Sequence, residues 1–160
     1  MKKFDVVIVG GGPAGGQCAR ILARSGRKVL LIERFKDFTK NSFSSAGTPL
    51  ETLKKFDLPK EVVGSFWNQL VIVTSNQRGA WQSEKILGSV LDFTKLREFL
   101  AKEVTNHGGE VWMGCRYVSH SNDHNESLVT IKNNLIGEEI LVSTKVLVDA
   151  TGPNRSLMLQ

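Results

Sequence analysis

The sequence predicts an α/β fold built on a parallel central sheet and extended by a β-meander, and three observations predict it. A largely apolar, β-branched run at residues 4–9, broken only by Asp5, passes directly into a glycine cluster and an amphipathic helix. A second apolar run, KVLLIE at residues 28–33, follows that helix at once. A third, KVLVD at residues 145–149, runs into Ala150-Thr151-Gly152-Pro153. Largely apolar strands of this kind belong to sheets covered on both faces, and a strand–helix–strand order makes the first pair parallel.

The first helix is expected to run to about Ser25. Ala14, Cys18, Ile21 and Leu22 fall on one stripe, and Gly26 stops it. Residues 35–47 are polar and read as a loop. Thr48, Pro49 and Glu51 then have the order of a capping box, Thr48 as N-cap, for a short helix ending near Phe56. Residues 66–75 and 81–87 are expected to form a hairpin turned at residues 76–79. A clear helix follows at residues 94–106, with Leu96, Phe99, Leu100 and Val104 on one face and Gly108-Gly109 beyond it. Strands at residues 110–118, 127–132 and 138–142, with polar turns at 121–123 and 133–134, predict the meander, and the strand at 145–149 ends the sheet.

Composition sets bounds on function. At 160 residues the chain suits one domain, and 41% hydrophobic with 23% charged residues is ordinary for a globular protein. The net charge of +5 comes from scattered lysines and arginines. It reads as a solvated surface, while attraction to an anionic ligand or a lipid headgroup stays open. No nucleic-acid partner is expected. Cys18 and Cys115 form no CxxC pair, which excludes a dithiol motif and a zinc ribbon and suits a reducing cytoplasm. Both read as packing residues. His120 and His124 are four apart in an expected turn, a poor basis for a metal site, so no metal is expected. The apolar run at the N-terminus is too short for a signal peptide, and no stretch approaches a membrane span.

The chemistry lies in the glycines. Gly10, Gly12 and Gly15 form GxGxxG, with Ala19 following, between a predicted strand and a predicted helix. Gly10 permits the tight turn, Gly12 lets backbone approach a pyrophosphate, and Gly15 and Ala19 let the helix pack close. The helix N-terminus presents amide groups and a positive dipole end to the phosphates. Glu33, at the end of the second strand, is placed to accept hydrogen bonds from both hydroxyls of an adenosine ribose. These features make the fold Rossmann-like and the ligand an adenine dinucleotide. They do not separate FAD from NAD.

The opening VVIVGGGPAGGQCARILARSGRKVLLIER resembles the FAD fingerprint of the two-dinucleotide-binding flavoprotein superfamily. The likeness continues through NSFSSAGTPLETLKKFDLP, LDFTKLREFLAKEVTNHGGEV and VLVDATGPNRS, in the order of its geranylgeranyl reductase-like branch. The resemblance implies an FAD-binding domain over residues 1–160, with a hairpin insertion at about 66–88. It implies cofactor contacts from Gly10, Gly12, Pro13, Ala14 and Gly15 around the pyrophosphate, and from Glu33 and Arg34 beyond them. It places the Val118 backbone by the adenine, and Ala150 and Gly152 where the chain passes close to the cofactor. Gly47 would approach the flavin end. Hydroxylase-like relatives often carry an arginine at the position of Phe93, and here Arg97 lies one turn later. Some isoprenoid reductases have a cysteine in the loop that here holds serines.

The resemblance also implies a later Gly-Asp segment and a substrate-binding sheet, which these residues do not include. The expectation is therefore a fragment, a truncated product or one part of a split protein, with the substrate domain absent. Two functions follow. One is the FAD-binding portion of a flavin-dependent oxidoreductase that reduces isoprenoid double bonds, with a monooxygenase or halogenase as the alternative. NAD(P)H would be the electron donor of the full-length enzyme, and no catalytic side chain is assigned. The other is a catalytically silent binding module that docks a partner chain supplying the missing half. The protein is expected in the cytoplasm, with peripheral membrane contact left open.

Overall fold

The apolar run near the start of the chain forms strand β1 (Lys2–Val9), in which Val7 and Ile8 are sealed from solvent. The computed structural model describes residues 1–40, 47–123 and 125–157. The chain divides into two compact units, residues 1–41 with 97–160, and residues 42–96.

Helix α1 (Pro13–Arg24) leaves the glycine cluster with Gly12 at its N-cap position. β2 (Val29–Glu33) follows, buried throughout, and pairs parallel to β1 with Val7 opposite Leu30. The helix turns a different face to the sheet from the one its apolar residues suggest. Gly15, Gly16, Ala19, Arg20 and Ala23 are buried, Ala14 and Ile21 are exposed, and Cys18 and Leu22 are half-covered. Close approach is the reason. A Cβ on Gly15 would meet the Gly10 carbonyl oxygen at 2.0 Å, so the packing face must be made of small residues.

The second unit holds β3 (Gly47–Pro49), α2 (Leu50–Lys55) and a 3-10 turn at Lys60–Val62. The capping box does not form. Thr48 lies in β3, Pro49 takes the N-cap position, and the Thr48 hydroxyl donates to the Thr52 hydroxyl at 2.6 Å. β4 (Val63–Trp67), β5 (Gln69–Val73), β6 (Arg78–Gln82) and β7 (Gly88–Leu91) come next. β5 and β6 form a ribbon shorter than the expected hairpin, turning at residues 74–77. β7 instead lies between β3 and β4. Gly88 allows this, since a Cβ there would meet the Trp67 ring at 2.4 Å and the Thr48 carbonyl oxygen at 2.5 Å. Helix α3 (Phe93–Asn106) begins in this unit and continues into the first from Arg97.

In the first unit the expected strand at 110–118 breaks at Gly114, whose φ of +67° turns the chain. β8 (Glu110–Met113) pairs parallel to β2, and β9 (Cys115–Asp123) starts the meander, running on through residues expected to turn. β10 (Glu126–Asn133) returns antiparallel to β9. The strands expected at 138–142 and 145–149 are one, β11 (Glu139–Asp149). Ser143 and Thr144, the apparent break, are buried and bonded. The Ser143 hydroxyl donates to Glu126, and that of Thr144 donates to the Val146 carbonyl at 2.9 Å. β11 pairs antiparallel with β10 in its first part and parallel with β1 along its last, giving the order β8-β2-β1-β11-β10-β9. The result is an α/β fold with a parallel central sheet and a β-meander.

One face of this sheet carries Phe4, Val7, Leu30, Ile32, Val129 and Ile131. The other carries Val6, Ile8, Leu31, Ala19 and Ala23 of α1, and Val104 of α3. Arg20, almost fully buried in α1, stacks over the Phe99 ring, its Nε 3.6 Å from the Glu103 carboxylate. Arg24 donates to the same carboxylate at 2.5 Å. Burial works against the Glu103 charge, yet the bonds from Arg24 and Asn106 and the nearby guanidinium charges outweigh it. They hold the carboxyl below its ordinary range. A depressed carboxylate contributes stability that is present above its unfolded pKa and lost as pH falls through the folded one. Glu103→Gln is therefore expected to lower stability by about 1–2 kcal/mol at neutral pH. Its difference from the wild type should shrink below about pH 4, checked by urea denaturation across pH. A pH-independent difference would mean that the charge is not what matters.

Candidate functional site

The C-terminal ends of β1, β2 and β11 enclose a hollow of about 600 Å³, within the range of small-molecule sites. It lies entirely in the first unit. Gly10 leaves β1 with φ +111°, and a Cβ there would strike the Ala150 carbonyl oxygen at 2.4 Å. Ala150 answers by donating its amide to the Val9 carbonyl at 2.9 Å. Gly12 is different in kind: a Cβ there meets nothing within 4 Å, and the residue lines the hollow. Pro13, Ala14 and Gly15 form the first turn of α1, whose N-terminus has no side-chain cap. The amides of that turn therefore have no competing carboxylate or hydroxyl from the cap position.

Glu33 is buried at the end of β2 and lines the hollow. One of its oxygens accepts the Gly11 amide at 2.9 Å and the other the Phe35 amide at 3.0 Å. The carboxylate thus ties the glycine turn to the strand end. Two oxygens offer about four acceptor directions, so each keeps capacity for a ligand hydroxyl. Arg34, exposed at the rim, stacks on the Phe35 ring. Across the hollow, the register of β9 on β10 shifts to make a β-bulge at Val118. Val118 lines the hollow together with Ala150 and Gly152, the latter at φ +67°. Gly47 belongs to the second unit, in β3, paired with Val90. The serine loop before it falls outside the described residues, as does His124.

Arg97 is buried, and its guanidinium holds main chain. It donates to the carbonyls of Phe38 and, at 2.7 Å, Lys40, and stacks over the Phe38 ring. It also lines the hollow, with Arg34 and Arg116. Three guanidinium groups against the Glu33 carboxylate make the hollow suited to an anion. Among the described residues no cluster of metal-ligating side chains occurs.

A scan against family models matches residues 5–155 to the FAD dependent oxidoreductase model. The chain belongs to the FAD dependent oxidoreductase family. It is 33% identical over 157 residues to the digeranylgeranylglycerophospholipid reductase of Haloferax volcanii, covering 96% of this chain and 37% of that protein. The fold is similar to a geranylgeranyl bacteriochlorophyll reductase-like protein of Thermoplasma acidophilum. That match has TM-score 0.85 and 25% identity, and covers 98% of this chain and 41% of the other. A myxobacterial chondrochloren halogenase shares the fold at 16% identity and TM-score 0.76, covering 96% and 38%. The chain thus spans about two fifths of the length of these relatives.

Several residues in or beside the hollow of this FAD dependent oxidoreductase family member carry no motif. Asp149 accepts the amide of Thr151 at 2.9 Å, its hydroxyl at 2.6 Å and the Leu157 amide at 3.0 Å. Burial opposes its charge, but these bonds prevail and keep its carboxyl below the usual range. An acid directly before Ala-Thr-Gly was the available signal. Cys115 and Tyr117 sit inward at alternate positions of β9 and line the hollow. Burial pushes the Cys115 thiol upward, and burial with the Asp149 charge does the same for the Tyr117 phenol. The phenol lies 2.6 Å from Nδ1 of His120, and that histidine belongs to β9 rather than to the expected turn.

The glycines separate experimentally. Gly15→Ala is expected to cost about 2–4 kcal/mol, because its new methyl meets backbone that cannot yield. Gly12→Ala, facing open space, is expected to stay within about 0.5 kcal/mol of the wild type. Urea midpoints decide this: equal losses in both variants would remove the distinction between a packing glycine and a ligand-facing one.

Proposed function

We propose that this chain holds FAD for a reductase that saturates isoprenoid double bonds, acting on geranylgeranyl groups of a lipid. The observation that carries the reading is the likeness to the archaeal reductase, which runs along 96% of the chain at 33% identity. The halogenase match lies too low in identity to speak for more than the fold.

In this reading the turn from Gly10 to Gly15 faces the pyrophosphate, with the main-chain amides of Gly12, Ala14 and Gly15 and the α1 dipole turned to it, Pro13 starting the helix without an N–H of its own and Gly10 giving its amide to the Ile32 carbonyl. The open space at Gly12 and the uncapped helix start support that fit. Glu33 accepts from the ribose hydroxyls with the capacity that its two amide bonds leave. Arg34 and the bulge at Val118 border the adenine, and Ala150 and Gly152 let the chain pass beside the cofactor. Arg97 fixes the segment at residues 38–40 on the cofactor side. The bound flavin supplies the two-electron chemistry, while the protein binds, orients and excludes water.

NAD(P)H serves as electron donor of the complete enzyme. The isoprenoid is bound by polypeptide equivalent to the remaining three fifths of the relatives' length, on this or a partner chain. No described helix is long and apolar enough to cross a membrane. In this reading a lipid substrate is met from the cytoplasm by peripheral contact.

The test is a visible-range FAD titration of the purified chain. Near-stoichiometric binding is expected, with Gly12→Glu weakening it by about 100-fold or more through charge repulsion and blocked space. A folded chain that ignores FAD would sink the reading. The reductase part is tested on this chain supplied with that remaining polypeptide, by reducing the bound flavin without oxygen and adding a geranylgeranyl lipid. Reoxidation with hydrogen gained at a double bond, seen by mass, is expected. Reoxidation by oxygen but not by the lipid would overturn that assignment.

A further inference from the structure

Arg97 is only 7% exposed, yet among the described residues no carboxylate pairs with it. Both of its hydrogen bonds leave from Nη2, to the carbonyls of Phe38 and Lys40. Its Nε is sealed from solvent with no acceptor among the described residues. Nη1 has no acceptor among them either, and the side chain borders the hollow. A guanidinium carries five N–H donors, and burying its charge without a counter-ion is costly. Two carbonyl dipoles at one nitrogen offset part of that cost, and the hollow side of the group is left without an acceptor. Arg34 and Arg116, which are exposed at the rim, have water for this purpose. Arg97 is different because burial denies it that solvent.

Helix packing sets where the missing acceptor lies. β1, β2 and β8 are parallel, so α1, which leads into β2, and α3, which leads into β8, run in the same direction. The two helices meet at Gly16, where a Cβ would lie 3.0 Å from that of Leu100. Arg97 comes about one turn before Leu100 in α3, as Pro13 comes about one turn before Gly16 in α1. Arg97 is therefore level with the first turn of α1. A second contact agrees. A Cβ on Gly11 would lie 3.1 Å from Cε1 of Phe38, and Cζ of Arg97 lies 5.2 Å from the centroid of that same ring. Gly11, Phe38 and Arg97 thus stack beside the glycine turn. We propose that Arg97 is a phosphate clamp. Its Nη1 donates to an oxygen of the diphosphate that the α1 N-terminus holds, while Nη2 keeps the carbonyls of Phe38 and Lys40. One guanidinium then ties the bound anion to the segment at residues 38–40, close to where the first stretch of this unit ends.

The clamp rests on the reading of the hollow as a dinucleotide site, and ADP and adenosine probe it because they differ only in the diphosphate. Calorimetric titration of the purified chain measures both. Arg97→Met is expected to weaken ADP by about 10- to 100-fold and adenosine by less than about 3-fold, with unchanged circular dichroism. Arg97→Lys keeps a cation for the two carbonyls but loses the planar fork that serves both sides. It is expected to fold and to lose about 5- to 10-fold for ADP alone. If loss of the carbonyl bonds unfolds Arg97→Met, the lysine variant decides. Equal losses for the two ligands would reduce Arg97 to a support for residues 38–40 and overturn the clamp. So would a lysine variant that binds ADP as tightly as the wild type. A wild-type chain that binds neither ADP nor FAD overturns the clamp together with the reading beneath it. Tight wild-type binding of both, with equal losses in the variants, overturns the clamp alone.

Discussion

Where the Gly10 carbonyl meets the Gly15 backbone, no room remains for a methyl group, and the Ala150 methyl would lie 3.0 Å from the same missing Cβ. The exit of β1, the first turn of α1 and the end of β11 therefore converge on one contact. That contact sets how near α1 lies to the sheet, which confines its inner face to glycine and alanine around the single large residue Arg20. Gly16 extends the same logic to α3, since a Cβ there would press on Leu100 at 3.0 Å. From β1 the chain goes to β2 on one side and comes back as β11 on the other. Strand ends diverge at such a reversal, and the hollow opens there for that reason.

The rim of the hollow is held by charges bonded to main chain. Glu33 takes the amides of Gly11 and Phe35, and Asp149 those of Thr151 and Leu157. Arg97 gives its guanidinium hydrogens to two carbonyls of residues 38–40. Charge-assisted bonds to a backbone are stronger than neutral ones, and each restrains a loop rather than a side chain. Loops at the strand ends are thus set in place before any ligand arrives, which reduces the ordering cost of binding.

The first 33 residues were legible because their signals are local. A glycine that must turn, a helix that must start and a strand buried on both faces are each decided within a few residues. The meander was legible in kind and wrong in its joints. Ser143-Thr144 looks like a turn by composition, yet β1 and β10 pair with the strand there and supply partners that no local window contains. Gly114 looks like one residue inside a strand, and its positive φ divides two strands. The helix stripe misled for a related reason, because hydrophobicity marks Ile21 while contact distance selects Gly15 and Ala23. Of the site, Gly10, Gly12, Glu33, Ala150 and Gly152 were visible in motifs. Tyr117 and Cys115 were not, since their inward direction depends on the pairing of β9 with a strand outside any local window, and Asp149 showed only as an acid beside a motif, its bonds to Thr151 and Leu157 being decided by the fold.

Two electrostatic demands meet in the same space. Arginines at 34, 97 and 116 and the N-terminus of α1 favour negative charge, and a buried carboxylate stands among them. Glu33 tolerates burial because both of its oxygens are already bonded to amides, so its charge is stabilised without an ion pair. A ligand entering there meets attraction for phosphate along α1 and repulsion for phosphate beside Glu33. A diphosphate joined to an unphosphorylated ribose satisfies both, and a ribose carrying its own phosphate does not. The selectivity of the hollow is then a matter of where its charges are fixed, and the glycine turn and the carboxylate fix one another through the Gly11 amide.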